Sequence, residues 1–149
     1  MPKEKIDKFE GEYYFLSNFS EHGFTYPKDH NYYKTNEHFF QAMKVKDQRE
    51  RQRIIDAKTP SEAKKIGRKV NLRNDWEDIK VNVMKKGLLM KFNSNPAIRR
   101  KLLSTGDAEL IEGNNWGDTF WGKVNGEGKN MLGKCLMELR QYYREEGIE

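Results

Sequence analysis

The feature that most constrains this chain is a change of pattern at Asn36. The residues before it are rich in aromatics and turn formers, and the residues after it are punctuated as helices. Phe9 to Phe15 and His30 to Thr35 read as short strands, with Gly23 to Pro27 as a third candidate. Thr35 or Asn36 can cap a helix that reaches about Asp56. Thr59-Pro60-Ser61-Glu62 joins a capping residue, proline at the first helical position and Glu three residues after the cap, so a second helix is expected to end near Gly67. Asp75 can cap a third, with Trp76, Ile79, Val83 and Met90 on one stripe. Asn95-Pro96 opens a fourth, and Gly106 is placed to end it. Met131, Leu132, Cys135, Leu136, Leu139 and Tyr142 make the clearest amphipathic stripe, on a last helix ending before Gly147. The expected fold is α+β: one mainly helical domain over residues 1–149 with a small N-terminal β-sheet.

A chain of 149 residues can bury a core without a metal or disulfide staple. Its single cysteine, Cys135, cannot form an internal disulfide, and no Cys/His spacing matches a zinc site. No metal and no cofactor are expected. Met1 to Glu10 is charged and has no apolar centre, and no apolar run approaches the roughly 18 residues that cross a bilayer. The expectation is a cytoplasmic protein with no membrane partner. The net charge of +5 is unevenly spread: residues 41–101 carry 18 Lys and Arg against 7 Asp and Glu, while both flanks are acidic. Such a segment suits phosphate or nucleic acid, and it equally describes a set of solvated helix faces.

Four groups of residues can carry chemistry. Glu37, Gln41 and Lys44 are spaced four and then three apart, on one face of the first helix, with Phe39, Phe40 and Met43 around them. A carboxylate in apolar surroundings can serve as an acid or base; the same stripe also fits a solvated surface. His22, His30 and His38 read as structural or surface groups, since Glu37-His38 lacks the second histidine of a zinc protease. The segment Glu112 to Lys129 is a loop rich in Gly, Asn and Trp. Within it Asn114, Trp116, Gly117, Asp118 and Trp121 can hold sugar hydroxyls and a flat base, or form a tight turn over core tryptophans. Ser17-Asn18 between apolar residues can place polar groups at a pocket wall, or make a bulge. Arg73 and Trp76 at a helix start can meet an anion and a base, and a helical Trp is as readily core.

Taken in order, these segments resemble the NADAR (YbiA-like) family. The motifs are Phe15-Leu16-Ser17-Asn18-Phe19, Asn36-Glu37-His38-Phe39-Phe40-Gln41-Ala42-Met43-Lys44, Thr59-Pro60 through Gly67-Arg68, and Arg73-Asn74-Asp75-Trp76-Glu77. Glu112-Gly113-Asn114, Trp116-Gly117-Asp118, Phe120-Trp121-Gly122 and Leu132-Gly133 continue the resemblance, which spans about residues 9–142. It implies hydrolysis of N-glycosidic bonds, with activity linked to the positions of Glu37 and Trp76. One branch of the family is linked to phosphoribosylated pyrimidines of early riboflavin synthesis, another to ADP-ribose on guanine.

The reading is an N-glycosidase. Glu37 is expected to stabilise charge or activate water, Asp118 to be a second carboxylate, and Lys44 to be an alternative amine nucleophile. Trp76, Trp116 and Trp121 would clamp the base, Arg68 and Arg73 would meet phosphate, and Ser17, Asn18, Gln41, Asn114 and Gly117 would line the site. The expected partner is a small nucleotide-like or ADP-ribosyl substrate, preferably ADP-ribosylated guanine, including guanine in nucleic acid. A phosphoribosyl-aminopyrimidine is the alternative substrate. A module that binds ADP-ribose or nucleic acid without turnover is the competing class.

Overall fold

Helix starts follow the caps written in the sequence, and this is plainest where a side chain takes up a free backbone N–H. A computed structural model describes residues 4–149, which fall into two compact units: residues 4–17 with Asn95–Glu149, and Asn18–Ser94. The architecture is mainly helical α+β, as expected.

In the second unit, β2 (Phe24–Thr25) and β3 (Tyr32–Tyr33) form an antiparallel ribbon with Phe24 opposite Tyr33. Helix α1 (Asn36–Ala42) follows, with Thr35 Oγ1 accepting from the His38 N–H. Helix α2 covers Gln48–Ile55, α3 Pro60–Gly67 and α4 Trp76–Ser94. On α3, Thr59 Oγ1 accepts from the Glu62 N–H, and the Glu62 carboxylate accepts from the Lys58 N–H, so the predicted cap is formed. All seven residues of α1 are buried, and the helix packs on α2, α3 and α4. Phe39 anchors it, meeting the rings of Tyr26, Tyr33 and Phe24 edge-on at 4.9, 5.2 and 5.4 Å.

In the first unit, β1 (Lys5–Ile6) pairs in parallel with β4 (Glu109–Leu110). Helix α5 (Pro96–Ser104) ends at Gly106, whose φ is +64°. Helix α6 (Met131–Glu145) packs on α5 and β4. Asn130 ties its start to β4, accepting from the Glu112 N–H and donating to the Leu110 carbonyl.

Four expectations are corrected. Phe9 to Phe15 is not a strand: Gly11–Leu16 is a 3₁₀ turn that buries Phe15 and Leu16. The strands therefore make two separate two-stranded pairs, one of which joins Lys5–Ile6 to a strand near residue 110. The helix from Asn36 does not run to Asp56. The carbonyls of Met43, Lys44 and Val45 accept from the Arg73 side chain, the Arg73 N–H and the Arg51 side chain, and Asp47 caps a fresh helix. The stripes are also shifted. On α4 the buried set is Trp76, Met84, Gly87, Leu88, Lys91 and Phe92, leaving Ile79, Val83 and Met90 half-buried; on α6, Tyr143 is buried and Tyr142 exposed.

Candidate active site

The second unit holds the Glu37 cluster. Helix α1 enters through Asn18: its carbonyl accepts from the Glu37 N–H at 3.0 Å, and its side-chain oxygen accepts from Asn36 Nδ2 at 2.9 Å. Asn18 thus fixes the turn that presents Glu37. Glu37 is only 7% exposed, and its Oε2 accepts from Gln41 Nε2 at 2.6 Å. One helical turn brings these two side chains together, as their spacing predicts.

Lys44 lies beyond the end of α1, so the third member of the stripe is placed by the turn rather than by helical periodicity. Its Nζ stands 5.9 Å from the Phe40 ring centroid. Burial pushes its ammonium below the usual lysine range; the negative charge of Glu37 opposes that shift, while Arg68 and Lys64 reinforce it. A cluster of one carboxylate and three cations can hold a phosphate beside a carboxylate, and its amine is easier to deprotonate than an exposed lysine.

Trp76 is 4% exposed and packs edge-to-face on Phe40 with centroids 5.0 Å apart. It supports the ring under Lys44. Arg73 directs its guanidinium at Asp75 in a two-point contact at 2.6 and 3.2 Å, which holds the Asp75 carboxyl below its usual range. Arg68 is exposed at the end of α3. His38 is a structural group: Nδ1 meets Thr35 Oγ1 and Nε2 meets the Ala57 carbonyl, and burial lowers its pKa.

Ser17, Asn114, Trp116, Gly117, Asp118 and Trp121 belong to the other unit. There Asp118 Oδ1 accepts from the N–H groups of Phe120 and Trp121 at 3.1 and 2.9 Å. Asn114 accepts from the Asp118 N–H and donates to the Asp118 carbonyl and the Glu112 carboxylate. These two side chains build the loop, and Gly117 completes its turn at φ +87°. Trp121 is half-buried against Phe120. Trp116, 59% exposed, lines a cavity of about 510 Å³ with Lys5, Lys8 and Lys123. Ser17 is half-buried where the 3₁₀ turn ends.

Sequence reasoning names Asn36 and Gly67 only as a cap, a helix end and motif positions, and does not name Gly87; it assigns neither glycine the close approach to α1 that the structure shows. The signal available was a glycine within a helical pattern, which costs helix stability and so points to close packing. Among the described residues, no three His, Cys, Asp or Glu side chains gather as metal ligands, and no helix is long and apolar enough to cross a membrane.

Comparison with known proteins identifies the family of the chain. Residues 6–144 match the NADAR domain. The chain is 42% identical over 116 residues to the N-glycosidase YbiA of Shigella flexneri serotype 5b (strain 8401), covering 76% of this chain and 72% of that protein. It is 39% identical over 141 residues to the chloroplastic riboflavin biosynthesis protein PYRR of Zea mays, covering 84% of this chain and 22% of that protein. The NMR structure of the E. coli protein YbiA superposes with a TM-score of 0.87 at 36% identity, over 99% of this chain and 89% of that one. With a family match across nearly its whole length and a relative of this similarity, the chain belongs to the NADAR domain family.

Proposed function

We propose that this protein hydrolyses the ribose–base N-glycosidic bond of a phosphate-bearing substrate at Glu37. By its relatives it is a hydrolase acting on N-glycosyl bonds. The observation that carries the residue assignment is the buried Glu37 carboxylate, held by Gln41 beside the partly desolvated Lys44.

As the bond breaks, its electron pair leaves with the base, and positive charge develops on the anomeric carbon and ring oxygen. A fixed carboxylate stabilises that charge without reorganising. It also orients the water whose oxygen adds to the anomeric carbon and whose proton passes to the departing base. In the second route, the ring C–O bond opens to give the imine of the base's nitrogen, and the neutral Lys44 amine adds to C1. The C1–N bond to the base then breaks as the base leaves with a proton, and water hydrolyses the Lys44 Schiff base to free sugar and amine. The lowered Lys44 pKa favours this route; the Glu37–Gln41 contact favours water. Lys44, Lys64 and Arg68 receive the phosphate. Trp76 acts through Phe40.

The substrate we favour is a phosphoribosyl-aminopyrimidine, because the maize relative is named for riboflavin biosynthesis. The ADP-ribosylated guanine expected from the sequence is the second reading, supported by a cation cluster that also suits a diphosphate. Its support from the basic segment is weaker than the charge count suggests, since Arg73 pairs with Asp75, Lys80 pairs with Glu77, and Arg51 is bound to a backbone carbonyl. The test offers both substrates at equal concentration and follows each released base by mass spectrometry. Faster pyrimidine release is expected. Release of guanine alone reverses the preference, and binding of both without turnover defeats the enzyme reading. If nucleic acid is contacted, apparent affinity falls with salt at a log–log slope of about −0.7 per neutralised phosphate on a single strand.

A further inference from the structure

Two buried side-chain oxygens, Gln41 Oε1 and Asn36 Oδ1, have no hydrogen-bond partner among the described residues. Both lie on α1, one on either side of Glu37 in sequence, and each faces a helical glycine. A Cβ at Gly67 of α3 would stand 1.9 Å from Gln41 Oε1 and 2.8 Å from its Cδ, inside any tolerable contact. A Cβ at Gly87 of α4 would stand 2.0 Å from Asn36 Oδ1. Neither glycine has a positive φ, so neither is needed for backbone freedom; both make room.

Leaving a buried acceptor without a donor is unfavourable, and a site that tolerates it gains something else. Here the gain is orientation. With its oxygen seated against Gly67, the Gln41 amide turns its NH₂ toward Glu37 Oε2, 2.6 Å away. An NH₂ donor at that position favours the ionised carboxylate, the form needed to stabilise a developing cation.

We propose that Gly67 is a positioning residue for the reaction: its missing side chain is what lets Gln41 hold the Glu37 carboxylate ionised and correctly turned. This rests on the assignment of Glu37, and it gives α3, whose Lys64 is placed at the phosphate, a second role carried by a position without a side chain.

The test is a double-mutant cycle of Gly67→Ala and Gln41→Ala, with kcat, KM and the pH profile of kcat measured for each folded protein. Each single variant is expected to lower kcat about tenfold or more with little change in KM. Each is also expected to move the acid limb upward, since a carboxylate that loses a donor is more readily protonated. The double variant is expected to be no worse than Gln41→Ala. With the amide gone, the nearest remaining Gln41 atom to the new methyl is Cβ at 3.2 Å, which a small shift relieves. Losses that multiply in the double variant overturn the proposal. If Gly67→Ala does not fold, the Gln41→Ala profile decides: an unmoved acid limb overturns the proposal, and a raised one sustains it. Failure of the underlying assignment reads differently, since Glu37→Gln at wild-type activity removes Glu37 from the reaction whatever the glycine does.

Discussion

At the scale of single residues, the proposed reaction rests on Glu37, and Trp76 is a packing residue beside it. Glu37→Gln replaces the carboxylate by an isostere that cannot ionise. Hydrolysis is expected to fall by about 10²-fold or more, the usual worth of one acid–base group, while melting temperature moves little. Steady-state kinetics on a protein of unchanged circular dichroism checks this, and full turnover would remove the assignment. Trp76 is buried against Phe40. Its Ala variant is expected to lose about 3–5 kcal/mol of stability, and its Phe variant much less. Activity per folded molecule should drop only as far as Phe40 and Lys44 shift. A stable Trp76→Ala protein with abolished turnover would instead put the indole on the substrate. Glu37 was legible because a carboxylate four residues from an amide on a helix is a local pattern. The burial of Trp76 was not, since a tryptophan at a helix start fits a core and a binding face equally well.

At the scale of elements, the glycine-rich loop is built by its own polar side chains. Asp118 Oδ1 collects two backbone N–H groups, a task an amide oxygen can also perform. Asp118→Asn is therefore expected to keep the loop and most of the activity, and Asp118→Ala to lose both, as followed by thermal unfolding beside kinetics. A large loss of kcat in a stable Asp118→Asn protein would return Asp118 to the reaction as the second carboxylate. The helices tell a related story. Thr59 and Glu62 cap α3 as the sequence predicts, because capping is settled within four residues. The break between α1 and α2 was not legible, because the Met43 and Lys44 carbonyls are claimed by Arg73, some thirty residues further along the chain.

At the scale of the whole molecule, the buried Lys91 couples stability to pH. Desolvation alone lowers its pKa from 10.5 to about 7. Between those values the unfolded chain binds a proton that the folded chain does not, so stability rises with pH by up to about 1.4 kcal/mol per unit. Below pH 7 both states are protonated and the full penalty is present. Above about pH 10 the buried Tyr33 and Tyr143, whose pKa values are raised, reverse the slope. Urea unfolding from pH 7 to 10 checks this, and Lys91→Met is expected to flatten the rise; an equal rise in the variant would assign it to other groups. The sequence by itself determined the helical class, most helix starts, the family motifs and the Glu37–Gln41 pairing, because caps, periodicity and one-turn spacing act over a few residues. Only the tertiary structure decided that Lys91 is buried, that Trp76 faces Phe40, that Asp118 binds its own loop, and that Gly67 and Gly87 make room for amides of α1. Each of those depends on which distant residue packs alongside, and burial and close approach are set by the folded chain rather than by neighbours in sequence.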